Sequence, residues 1–510
     1  MQKRALMSSF VALAMSAGLV VACGDDDDSN TNVTPSPDGG SQPPDSGSPD
    51  PGNEKDAATP DSEAPAAAEI TPLTTTRIAN AINPYGLLYA SDGFLYASGA
   101  TNVAGTPKLA VWRFKDGALD TTFGTDGVVV AVLPGSWSSF DIVEVSAGNF
   151  VVHAVSSGKI YLLKLTKDNA GAFSFGPAVF VKLGYDEGEG WPAGTPNVPA
   201  SAPSYTSWGI GLDKSNAASP KIVVFAAGAP AKAANVAEQR VDNDRWITRV
   251  DANTLAFDTT FNGGAPYTAD ADGKGLADNG RRGLVLADGS IVSSGYTNFG
   301  TGLGNHVVLI RLLANGTVDQ AFGFGTTAPG IPGQTKFNPF VASGGSAEAY
   351  GVVHQSSGRY VTTGYGTSNF EIASKSVDLV SFGVKADSLD TTYGKQGSFA
   401  WQSENDKGAG LGGNPFTDRG RDIAVLPDDR LVHVGVYDDY ASVFVTDKDG
   451  KPDPSSGNNG LIEYSYPAGF FKVVVSPDGK QIAATAQSLN QTTDANAPVG
   501  SVLATLKVGQ

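Results

Sequence analysis

One phrase returns along this chain. It reads Leu119-Asp-Thr-Thr-Phe-Gly124, Phe257-Asp-Thr-Thr-Phe-Asn262, Val318-Asp-Gln-Ala-Phe-Gly323 and Leu389-Asp-Thr-Thr-Tyr-Gly394, with a degenerate fifth copy at Pro452-Asp-Pro-Ser-Ser-Gly457. Upstream lies a strand, a tight turn and a second strand, as in Val285-Leu-Ala-Asp-Gly-Ser-Ile-Val-Ser-Ser-Gly295, and a third apolar run follows, as in Val307-Val-Leu-Ile-Arg-Leu312. Framed on the Asp-Gly turn, the units begin near Tyr85, Phe140, Trp208, Arg281, Tyr350, Arg421 and Phe471, at spacings of 50 to 73 residues. A repeat of that length holds four short strands, and such units bury their apolar faces only by stacking on one another.

The phrase carries its own local chemistry. Asp-Gly at a hairpin tip suits the positive backbone angle of a tight turn. The Asp of Leu-Asp-Thr-Thr can accept hydrogen bonds from amides ahead of it, and the aromatic is a buried wedge. Because these aspartates recur in nearly every unit, a structural role is expected of them, not a catalytic one. The pattern Asp-Gly, strand, Arg-x-Leu, Leu-Asp-x-x-Phe-Gly resembles the delta-60 repeat family over roughly residues 80 to 465. The resemblance implies a β-propeller and no enzyme activity.

The expected fold is therefore all-β, a single seven-bladed propeller. The seventh unit stops after three strands, at the end of the chain, and the spare segment Ile70 to Ile78 ahead of the first unit is expected to supply its outer strand and close the ring.

Aligned through the turn, Tyr85, Phe140, Trp208, Arg281, Tyr350, Arg421 and Phe471 stand just before the first strand of each unit and should ring the mouth of the central channel. The next positions read Gly86, Asp141, Gly209, Arg282, Gly351, Asp422 and Lys472. Aromatic faces stack on sugars and Arg forks bind carboxylates or sulfates, so the ring is a ligand-binding candidate; packing between blades explains the same residues. Convergence of Asp141, Glu144, Arg281, Arg282, Asp422 and His354 in one pocket would point to an enzyme. The long excursions Tyr185 to Tyr205 and Ser403 to Asp418 are further candidates. Asp270, Asp272 and Asp278 form a calcium candidate. No other cofactor is expected, and the four histidines show no zinc spacing.

The first residues say where such a propeller would work. Lys3 and Arg4 precede an apolar, small-residue stretch from Ala5 to Ala22, and Val20-Val21-Ala22-Cys23 resembles a lipobox. That resemblance implies a signal peptide over residues 1–22 and acylation of Cys23. Residues 23–68 read as a disordered acidic Pro/Ser/Gly tether, and 69–510 as the propeller. Cys23 is the single cysteine, so no disulfide can form. The formal charge of −17, or −19 without Lys3 and Arg4, argues against nucleic acid as a partner. The expectation is a monomer held to the outer membrane or cell surface by its lipid, binding a glycan, envelope polymer or protein. A channel-site hydrolase or lyase on a carbohydrate or lactone, and a purely structural envelope protein, are the alternatives.

Overall fold

The computed structural model describes residues 68–271, 273, 275–298, 304–324, 332–367, 378–401, 418–438, 440–466, 468–487 and 500–509. The expected signal peptide, Cys23, nearly all of the expected tether, Asp272 and most of the Ser403–Asp418 excursion lie outside these residues. No helix of the described residues is long and apolar enough to cross a membrane.

Short β-branched and aromatic runs separated by Asp-Gly or similar turns give antiparallel sheets, and here they give seven. In six of them the strands stack in chain order from the axis outward, and in the seventh the outermost strand comes from the start of the propeller. The inner strands are Ala81–Tyr89, Ser138–Ser146, Tyr205–Asp213, Asp278–Val285, Gly351–His354, Arg419–Val425 and Phe470–Val475. The chain is thus a seven-bladed β-propeller, as expected.

Blade seven has three strands from the end of the chain, and its fourth is the N-terminal strand Ile70–Ala79. Ile70 pairs with Val508 and Ala79 with Gly500, with one irregularity between Pro72 and Thr74. A single residue, Asn80 at φ 57°, joins this strand to the inner strand of blade one. The apolar core lies between the blades. At the junction of blades six and seven, for example, Val443, Val445 and Ile462 pack with Ile482, Leu506 and Ile70.

The repeated phrase is a staple. In every copy the aspartate accepts the amide two residues ahead: Thr122, Thr260, Ala321, Thr392 and Ser455, at 3.0 to 3.1 Å. Its other oxygen meets an arginine at 2.6 to 3.2 Å, in the pairs Asp120–Arg113, Asp258–Arg249, Asp319–Arg311, Asp390–Arg359 and Asp453–Arg430. The wedges Phe123, Phe261, Phe322 and Tyr393 are at most 1% exposed.

These carboxyls link stability to pH. Partial burial disfavours ionisation of Asp390, but the hydrogen bonds from Thr392, Arg359 and Lys385 outweigh it and hold the group well below its usual range. Asp120, hydrogen-bonded first by Thr122, and Asp258 and Asp453, where similar bonds overcome burial, are also lowered. A depressed folded-state pKa contributes stability that is complete above the unfolded value, about 4, and is lost as pH falls through the folded one. Thermal melts between pH 7 and pH 2 should therefore show a falling melting temperature below about pH 4. Asp390→Asn should weaken that acid dependence as well as lower the plateau. An unaltered acid profile would contradict the stapling role.

Candidate functional site

The seven ring candidates do converge, but not from the positions expected. Six lie inside the inner strands, where the ladder slips, and only Tyr350 precedes its strand. The register shifts fall between Ile82 and Gly86, Ser139 and Asp141, Ser207 and Gly209, Gly280 and Gly283, Gly420 and Asp422, and Phe470 and Lys472. Tyr85, Phe140, Trp208, Arg281, Arg421 and Phe471 are thus β-bulge residues. A bulge re-aims a side chain, here toward the axis. The kinked inner strand crowds the second strand where that strand has glycine. A β-carbon at Gly364 or Gly435 would collide with the backbone oxygen of Glu348 or Arg419.

The re-aimed side chains pack on one another, and none is more than 8% exposed. Phe471 stacks on Tyr85 at 3.6 Å between centroids and on Trp208 at 4.9 Å. Trp208 meets Tyr350 edge-on at 5.2 Å, and Phe140 lies 5.2 Å from Tyr85. Trp208 and Phe471 belong to blades three and seven, which are not neighbours, so they touch across the axis. Arg281 lies over Trp208 at 4.6 Å and Tyr350 at 4.7 Å, and Arg421 over Tyr350 at 5.2 Å.

A charged tier lies beside the aromatic one. Arg282 donates to the backbone oxygens of Trp208 (2.9 Å) and Phe471 (3.2 Å) and pairs with Asp422 at 3.5 Å. From blade four it therefore ties blades three, seven and six. Lys472 lies 3.5 Å from Asp141 and 3.8 Å from Asp422. The carboxylates also bind backbone, Asp141 accepting from Ile210 N (3.2 Å) and Asp422 from Val473 N (3.1 Å). Glycine alternates with charge here because the charged side chains need that space. A β-carbon at Gly209 would sit 3.0 Å from an Asp141 oxygen, and one at Gly351 3.1 Å from an Asp422 oxygen.

Of the six residues whose convergence would mark an enzyme, Asp141, Arg282 and Asp422 meet, and Arg281 stands in the aromatic tier. Glu144 instead accepts from Ser91 N (2.7 Å) and Ser91 Oγ (2.9 Å) on the turn of blade one. His354 packs on Tyr360 at 4.8 Å. His153 and His433 are fully buried, and burial pushes both down to about 3, so they are neutral.

The sequence reading missed Glu348. This carboxyl is 4% exposed and takes a 2.5 Å bond from Asn305. Burial pushes it up to about 7, against the pull of Arg281, Asn305, Tyr365 and Arg419. Arg281 donates to Tyr296 Oη (2.9 Å) and Tyr350 Oη (3.2 Å), and Tyr350 Oη lies 3.1 Å from Tyr365 Oη. The tyrosines had a signal. Gly295-Tyr296 and Gly364-Tyr365 occupy the same place in their repeats.

A cleft of about 610 Å³ opens on the loop face where the inner strands begin. It is built by Pro196 and Asn197 of the first excursion, by Glu238 to Asp242, and by Asp270, Gly273 and Gly275. Arg240 stands in it with three carboxylates: Asp242 at 3.2 Å, and Asp244 and Asp270 in direct ion pairs. Burial pushes the Asp244 carboxyl up to about 6, helped by Asp242 and Asp270 and opposed by Arg240. Among the calcium candidates, Asp270 is thus engaged with Arg240. Asp278 is fully buried and accepts the amide of Ala271 at 2.5 Å. Among the described residues no three His, Cys, Asp or Glu side chains group as a metal site.

No known family model matches the chain, and no curated protein sequence does. Solved structures do. The polysaccharide lyase Uly1 is 10% identical, over 84% of this chain and 91% of its own, with a TM-score of 0.43. The Pan2 WD40 domain of Neurospora crassa is 9% identical, over 87% and 97%, with a TM-score of 0.42. Sqt1 of Chaetomium thermophilum, bound to the N-terminus of ribosomal protein L10, is 10% identical, over 82% and 86%, with a TM-score of 0.38. At these identities the likeness concerns the fold. One expectation is corrected by it. The chain was expected to have no enzyme activity, yet propellers similar to it include a lyase, so the fold gives no ground for excluding catalysis.

Proposed function

We propose that this chain is a lipid-anchored propeller of delta-60-like repeats, held at the outer membrane or cell surface, that binds or scaffolds a glycan, envelope polymer or protein. The observation that carries the reading is the contrast between two places among the described residues, the axis and the Arg240 cleft. The axis is filled by the chain's own buried side chains, whereas the cleft around Arg240 is open and lined by three different loops. Loops on a rigid scaffold are the usual seat of recognition. The carboxylates there outnumber Arg240, which suits a partner bearing basic or hydroxyl groups.

Charge reversal tests it. The full chain, in detergent, is titrated with cell-wall fragments, envelope glycans and the basic proteins of an envelope extract, beside Asp270→Lys. A ligand whose affinity falls at least about tenfold in the variant, with an unchanged melting temperature, supports the cleft. Equal affinity in both proteins contradicts it. For the anchor, Cys23→Ser should abolish incorporation of labelled palmitate and release the protein from membranes; label retained in the variant contradicts lipidation.

A second reading, catalysis on a carbohydrate or lactone at the channel, is favoured by Glu348, a carboxyl held by Asn305 beside Arg281 and Tyr365 that burial pushes up to about 7, the range that suits a general acid or base. Glu348→Gln should then abolish turnover of a polysaccharide panel without altering circular dichroism. Turnover that survives the change removes this reading.

A further inference from the structure

The fifth copy of the repeated phrase departs from the others at one informative place. Where blades one, three, four and five carry Phe123, Phe261, Phe322 and Tyr393, blade six carries Ser456. Each aromatic is a wedge against the following blade. Phe123 reaches Phe173 of blade two at 5.0 Å, Phe322 reaches Tyr360 of blade five at 5.7 Å, and Tyr393 packs with Ile423 and Leu431 of blade six. Ser456 is fully buried but supplies no such wedge.

The apolar volume comes from elsewhere in the chain. Ile70, the first residue of the N-terminal strand, is fully buried in the core between blades six and seven, and its amide donates to Ser456 Oγ at 3.1 Å. Ser456 Oγ in turn donates to Asp453 at 3.0 Å. A second substitution of the same kind lies beside it. In blades three and five the stapling arginine also donates to a carbonyl in the turn of the next blade, Arg249 to Ala314 O and Arg359 to Lys448 O. In blade six the equivalent Arg430 donates to Ala68 O at 2.6 Å. Glu69 O accepts from Gly509 N at 2.7 Å, so the start of the strand is also bonded to the end of the chain.

We propose that Ser456, Arg430 and Asp453 form a strand-docking socket whose occupant is residues 68–79 of this chain, and that the socket accepts the same segment supplied in trans when the chain's own strand is loosened. The departure from the repeat is the recognition element. A small hydroxyl leaves room for Ile70 and binds its amide, Arg430 holds the preceding carbonyl, and the ladder to Gly500–Val508 supplies sequence-tolerant affinity along the strand. The one-residue link at Asn80 keeps the chain's own strand at high effective concentration, so an added strand competes only when that strand is weakened.

Two variants of the full chain test this. Ser456→Phe restores the repeat's wedge in the space that Ile70 occupies. The expected result is a melting temperature lower by at least about 5 °C and proteolytic cleavage near residues 68–80. A strand that stays protected at an undiminished melting temperature would overturn the socket. Ile70→Asp, or Ile70→Ala if the former does not fold, loosens the chain's own strand. A synthetic peptide of residues 68–79 should then raise the variant's melting temperature in a dose-dependent way, while a peptide carrying Asp at position 70 should not. No stabilisation by the parent peptide, or equal stabilisation by both, would contradict the proposal.

Discussion

Deleting residues 69–80 should lower the melting temperature by more than about 10 °C, or prevent folding. The strand removed buries Ile70 and Ile78 to 0% and 1% exposure, and burial of each such side chain contributes about 1.5–3 kcal/mol. It also carries the ladder to Gly500–Val508, at roughly 0.5–1.5 kcal/mol net for each hydrogen bond. Its loss leaves blade seven with three strands and uncovers an edge that invites association. Concentration-dependent aggregation should accompany the fall. Differential scanning calorimetry of the two proteins checks this, and equal transitions would mean that the ring does not depend on the N-terminal strand.

Arg282→Met should be nearly as damaging, for an electrostatic reason. Arg282 is 4% exposed and joins four blades at the axis. Methionine fills much of the volume but leaves Asp422 buried with Lys472 as its remaining cation and the carbonyls of Trp208 and Phe471 without this donor. Removing one partner of a buried ion pair costs about 3–5 kcal/mol. Chemical denaturation should show that loss, and the double variant Arg282→Met/Asp422→Leu should recover part of it, because the buried carboxylate that lost its Arg282 partner is then gone. A double variant no better than the single one would mean that the cost arises from packing rather than charge.

Much of the fold was legible because the units mark themselves with Asp-Gly turns, as at Asp92-Gly93, Asp288-Gly289 and Asp478-Gly479, or with a similar turn, a local signal that needs no partner to read. The structural role of the phrase's aspartates was legible for the same reason, since the bonds from Thr122 to Asp120 span two residues. The closing strand could be inferred by counting, as one unit lacked an outer strand and one segment was spare. The bulges could not be seen, because a bulge is a relation between two strands. Trp208 therefore looked like a residue ahead of its strand, when it is an extra residue within it. Glu348 was hidden because its surroundings combine Arg281 of blade four, Asn305 of the same blade's third strand and Tyr365 of blade five. The Arg240 cleft is assembled from loops some 30 residues or more apart in sequence, around carboxylates that look like ordinary surface charge. Ser456 read as decay of the repeat, since what replaces its aromatic lies 386 residues earlier.

The most direct measurement of the central claim, a ring closed by its N-terminal strand around an axis filled by its own bulge residues, is native-state hydrogen exchange on the full chain. Amides of Ile70–Ala79 should exchange with the same free energy as those of Gly500–Val508, and those flanking Trp208, Arg282, Asp422 and Phe471 should be among the slowest, opening only with global unfolding. Fast exchange along Ile70–Ala79, or at the inner strands around the axis, would contradict both closure and plug.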